Sequence, residues 1–118
     1  MKKIYFLSTC STCNRVIKEL NLNEQNFVFQ DIKTNKISPE QLEQMAEMSG
    51  NYESLFSRRA TKYKSMGLAE KKLSESDYKN LILSEYTFLK RPVIIIDDFI
   101  SVGSGKKEIN AVYKLLNS

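Results

Sequence analysis

Histidine is missing from this 118-residue chain, and cysteine occurs only twice. The pair of absences argues against a zinc site, because zinc usually wants four ligands and two thiols make half a site. No apolar stretch approaches the length of a membrane span. No Gly-rich loop of the phosphate-cradling kind is present, so no bound nucleotide or flavin is implied. Repeats, low-complexity segments and linkers are also lacking. The charge excess is only +4, the lysines are scattered, and no nucleic-acid motif of the usual kinds occurs. Mild basicity of this sort reads as a solvated surface that favours an anionic ligand or an acidic partner surface, not direct nucleic-acid binding.

What remains is an ordinary globular composition. Hydrophobic residues make up 42% and charged residues 27%, enough for one domain folded around its own core over 1–118. The N-terminal run Ile4-Tyr5-Phe6-Leu7 is too short for a signal peptide, and polar Ser8-Thr9-Cys10-Ser11 follows at once. The expectation is a cytoplasmic protein without membrane contact, where reducing conditions suit a cycling thiol better than a structural disulfide.

The two cysteines stand together, as Cys10-Ser11-Thr12-Cys13, between that apolar run and a helical segment. A CxxC at a strand-to-helix junction is a redox signature. A helix start offers unpaired N–H groups and the positive end of the helix dipole. Both stabilise a thiolate, the reactive form of cysteine. Cys10 sits just outside the first turn, and Cys13 lies one turn on, within reach of a sulfur bonded to Cys10. Ser11 and Thr12 either donate to the thiolate or cap the helix.

The pattern predicts strands at 3–8 and 26–32 around a helix at 11–22, a parallel β-α-β unit. Ser38-Pro39-Glu40-Gln41 starts a helix that Gly50 ends, and shorter helical pieces are expected at 52–56 and 61–66. Ser74-Glu75-Ser76-Asp77 opens a helix to about Ser84. Val93-Ile94-Ile95-Ile96 and Phe99-Ile100-Ser101-Val102 form a hairpin about Asp97-Asp98, and a last helix spans 106–116. The order is β-α-β, a helical insertion at about 38–90, then β-β-α: an α/β chain with a mixed four-stranded sheet.

This order, with CxxC at the first junction and Pro92 before the third strand, resembles the thioredoxin-like fold. The helical insertion narrows the likeness to the arsenate reductase (ArsC)/Spx family, including its YffB-like members. It is carried by the Cys10 segment, by Leu55-Phe56-Ser57-Arg58-Arg59-Ala60-Thr61-Lys62-Tyr63, by Met66-Gly67-Leu68, and by Leu89-Lys90-Arg91-Pro92-Val93-Ile94-Ile95 with Val102-Gly103. The resemblance implies that Cys10 is the nucleophile and that Pro92 is the cis-proline facing it. It further implies that Arg91 helps hold an oxyanion and that Arg59, or Arg58 beside it, binds substrate. Two departures stand out. Ser104 occupies the place of a further arginine of arsenate reductases, with Lys106 and Lys107 near it. Cys13 supplies the second thiol found in Spx-like members.

Two functions follow from the likeness. One is a thiol-dependent oxidoreductase acting on arsenate or a related oxidised thiol, with glutathione or another thiol as co-substrate and glutaredoxin or thioredoxin as reductant. The other is an Spx-like redox-sensing regulator that binds RNA polymerase through its α subunit.

Overall fold

The computed structural model describes all residues, 1–118. It divides into two compact units, one joining Met1–Lys36 to Arg91–Ser118 and the other formed by Ile37–Lys90.

The first unit is built on a four-stranded sheet of order β2-β1-β3-β4, with β1 at Lys2–Phe6, β2 at Val28–Asp31, β3 at Val93–Ile96 and β4 at Phe99–Val102. β1 pairs parallel with β2, Ile4 opposite Phe29, and antiparallel with β3, Ile4 opposite Ile94. β3 and β4 form the expected hairpin, with Asp97 in the left-handed conformation (φ 53°) at its turn. All four β3 residues are buried, as a continuous apolar run requires.

Helix α1 (Ser11–Glu19) and helix α5 (Lys106–Leu116) belong to this unit. Val16, Ile17 and Leu20 join Ile109 and Val112 in one cluster with Ile4, Ile94 and Ile96 of the sheet. The helical spacing of these residues thus supplies the apolar stripe that covers the strands. α1 is shorter than the predicted 11–22. Leu20 caps it, Asn21 turns left-handed at φ 56°, and Leu22–Glu24 continues as a 3₁₀ turn. Asparagine tolerates that conformation better than most residues. β1 likewise stops before the predicted Ser8, because Cys10 N–H turns back to the Leu7 carbonyl at 2.9 Å.

The second unit holds α2 (Pro39–Ser49), α3 (Thr61–Ser65) and α4 (Glu75–Ser84). Ser38 and Ser74 both close capping boxes, with Gln41 and Asp77 respectively returning to the cap N–H. Phe56 is fully buried and stacks on Phe88 with ring centroids 5.1 Å apart, while Tyr78 and Tyr63 approach it at an angle. Two backbone bonds, Ser57 N–H to Phe88 O and Lys90 N–H to Leu55 O, tie the two ends of this aromatic segment together.

Ile94 has no exposed surface. Ile94→Ala is expected to lose about 2–5 kcal/mol of stability, and Ser38→Ala about 1 kcal/mol. Urea unfolding of each variant tests this; equal losses for the two would mean that the sheet face is not where the first unit's stability lies.

Candidate active site

The site begins where β1 ends. Leu7-Ser8-Thr9-Cys10 makes a tight turn, and Cys10 becomes the N-cap of α1 in extended conformation. Thr12 and Cys13 are then the second and third helical residues, whose N–H groups have no partner within the helix. The Cys10 side chain closes no formal capping hydrogen bond, but those amides still interact with its charged form. Partial burial raises the Cys10 thiol, the Cys13 amide and thiol, the Thr12 amide and the Arg91 charge lower it, and the net displacement is downward. Cys10 is also half-exposed.

Cys13 is its opposite. It has no exposed surface, and burial pushes its thiol up to about 11. The Leu7 amide opposes that rise, the negative charge of Cys10 adds to it, and Arg91 again lowers it. The two side chains interact, which lowers Cys10 and raises Cys13. Both cysteines are free thiols here.

Arg91 is brought to the same place from the far end of the chain. It precedes β3, its peptide bond to Pro92 is cis, and Pro92 is buried. The Pro92 carbonyl accepts the Gly103 N–H at 2.9 Å, which joins the start of β3 to the end of β4. Gly103 has φ 91°, a conformation that a side chain would strain. Ser11 and Thr12 occupy the first turn of α1; for Thr12 it is the backbone amide that acts on Cys10.

Arg58 and Arg59 lie in the second unit. Arg58 is engaged there: its guanidinium donates to Glu53 at 2.9 Å and to the Tyr78 hydroxyl at 3.2 Å. Arg59 is exposed and enters none of the ion pairs, its backbone N–H being held by Ser57 Oγ at 3.3 Å. Of the two, Arg59 has the guanidinium available to a ligand.

The ArsC family pattern matches residues 5–112. The chain belongs to the ArsC family. It is 25% identical over 112 residues to the global transcriptional regulator Spx of Streptococcus mutans, covering 94% of this chain and 82% of that protein. Among solved structures, an arsenate reductase from Vibrio cholerae superposes with a TM-score of 0.77 at 15% identity, covering 94% of each chain. An arsenate reductase (ArsC) related protein from Brucella melitensis does so at 0.71 and 22%, covering 96% of this chain and 94% of that one. The fold is therefore thioredoxin-like, with the mixed sheet and helices already described.

A groove lies at the start of α5 in this ArsC family member. Ser104 lines this groove of about 280 Å³ with Arg15 and Glu19 of α1 and Lys106, Ile109 and Asn110 of α5. Lys106, not Lys107, is the lysine at this groove, and Arg15 supplies a guanidinium that the sequence reading missed. A Cβ added at Gly105 would run into Glu108 Oε2, so the Glu108 carboxylate lies over the start of α5. The positive end of that helix already faces a negative charge. Glu108 at the third helical position is the sequence signal for such a contact. No cluster of three or more Cys, Asp or Glu offers a metal site, and no helix is long and apolar enough to cross a membrane.

Iodoacetamide should modify Cys10 first, with a pH midpoint below that of an ordinary thiol, and Cys13 only as the pH approaches about 11. Arg91→Ala removes a positive charge that favours both thiolates, so both midpoints should move up. Mass mapping over a pH series reads this; equal rates at the two sulfurs would contradict the asymmetry.

Proposed function

We propose that this protein is a thiol-dependent oxidoreductase with Cys10 as nucleophile and Cys13 as resolving thiol. The observation that carries the reading is the asymmetry of the pair: an accessible sulfur held towards thiolate beside a buried one held as thiol. A structural pair needs no such difference, whereas a nucleophile needs the lowered value. With a disulfide substrate, the Cys10 thiolate attacks one sulfur, the substrate S–S bond breaks, and the departing thiolate takes a proton. Cys13 then loses its proton and attacks the Cys10 sulfur, releasing the second substrate thiol. Two electrons pass to the substrate and the Cys10–Cys13 disulfide is left, for thioredoxin, glutaredoxin or glutathione to reduce.

Arsenate is the narrower substrate reading. The Cys10 thiolate adds to arsenic(V) with loss of water. A second thiol, from glutathione or Cys13, then attacks the Cys10 sulfur, and the S–As electron pair stays on arsenic as arsenic(III). Arg91 is the guanidinium whose charge acts on both sulfurs, and a planar fork of donors matches an oxyanion. Ser104 in the place of the further arginine weighs against arsenate and in favour of disulfide or glutathione-adduct substrates, because a hydroxyl does not supply a bidentate charged clamp.

The second reading is a redox-sensing regulator that binds the RNA polymerase α subunit, with the Cys10–Cys13 pair as its switch. The likeness to Spx over 94% of this chain favours it. Both readings have a cytoplasmic setting and need no bound cofactor.

The deciding assay follows NADPH consumption with arsenate, and in parallel with a glutathione-mixed disulfide, coupled to glutathione plus glutaredoxin or to thioredoxin plus its reductase. Cys10→Ser should abolish all turnover, while Cys13→Ser should keep whatever turnover an external thiol can resolve. Turnover that survives Cys10→Ser would sink the proposal. Absence of turnover together with capture of the α subunit by only one redox form would replace it with the regulator.

A further inference from the structure

The turn that delivers Cys10 is held by a side chain outside the CxxC. Asn14 lies one turn into α1, and its Nδ2 donates to the Ser8 carbonyl at 2.9 Å. Its backbone N–H meanwhile makes the first helical bond, to the Cys10 carbonyl at 3.1 Å. One residue therefore grips the chain on both sides of Thr9, once at Ser8 and once at Cys10. The Cys10 N–H closes the turn from within, on Leu7 O.

A second hold reaches Ser8 from β2. Asp31 ends that strand, opposite Phe6 in the parallel register, and its carboxylate accepts the Lys33 N–H at 3.1 Å. The same carboxylate interacts with the hydroxyl of Ser8 above all, and with the N–H of Ser8 and Lys33; these lower it below the ordinary carboxylate range against the opposing effect of burial. The Ser8 carbonyl is thus left to face Asn14.

The turn is exposed at Ser8 and Thr9, so packing does not fix it; hydrogen bonds must. Its geometry matters because a thiolate is stabilised by N–H groups only while the sulfur stays in front of them. We propose that Asn14 is a positioning residue for Cys10: by tying Ser8 to the first turn of α1, its carboxamide keeps the Cys10 sulfur before the amides of Thr12 and Cys13. The proposal rests on the reading of Cys10 as nucleophile, and it concerns reactivity, not substrate.

The test uses the full-length reduced protein and iodoacetamide, with mass mapping of Cys10 from pH 5 to 10. Asn14→Ala and Asn14→Leu, the second close to asparagine in shape but without donors, should react roughly fivefold more slowly at pH 7, the factor that one lost hydrogen bond produces. Their pH midpoints should rise, while limiting rates at high pH stay near the parent's. Asn14→Gln, which keeps a donor, should recover part of the difference. Circular dichroism and thermal melting accompany each variant. An unmoved pH midpoint in folded Asn14→Ala overturns the proposal, even if the melting temperature falls, since that marks a purely structural residue. A midpoint that rises equally in all three variants also overturns it, because the donor would then be irrelevant. Alkylation needs no substrate, so failure of the reductase assay leaves this result to be read on its own.

Discussion

Unpaired amides at the start of α1 call for a negative partner, and the turn before the helix puts a sulfur in that place. This contact joins the fold to the chemistry. Parallel pairing of β1 with β2 sets where β1 stops, the turn at Ser8 and Thr9 sets where the helix begins, and the apolar stripe of Val16, Ile17 and Leu20 holds α1 to the sheet. If any of these moved by a residue, the sulfur would leave the amides. A helix rotates about 100° per residue, so a slip of one position would also turn Cys13 out of its buried place.

The two sulfurs divide the work because their surroundings differ, not their chemistry. Both experience Arg91, and both lie near backbone N–H groups. Burial decides between them. Cys13 is buried and its thiol is pushed up, whereas Cys10 is only partly buried and its thiol is displaced downward. Arg91 is shared because the strand that it precedes pairs with β1, bringing a residue from beyond the second unit to the CxxC.

Much of this was legible in the sequence. Capping boxes at Ser38 and Ser74, the all-buried run Val93–Ile96 and the hairpin at Asp97-Asp98 all write their geometry locally, and each lies where the pattern puts it. The 3₁₀ turns at Leu68–Glu70 and Tyr86–Phe88 escaped, since three residues carry no periodicity. The CxxC and Arg91 were visible as motifs. Asn14, Asp31 and Arg15 were not, because their roles depend on which neighbour the turn or the helix start presents. Arg58 and Arg59 were equivalent as letters. The resemblance favoured Arg59, and the Glu53 and Tyr78 contacts engage Arg58.

The register of β1 against β3 also sets a schedule for biosynthesis. Lys3 pairs with Ile95, so the central strand of the sheet waits for a partner more than ninety residues later in the chain. Ribosomes add about 5–20 residues per second, which leaves the N-terminal segment without β3 and Arg91 for several seconds. In that interval Cys13 has no finished core to bury it, and the nascent thiols lack the guanidinium they later share. The asymmetry between them is a property of the completed chain, and newly made molecules pass through a window in which the two cysteines are chemically alike.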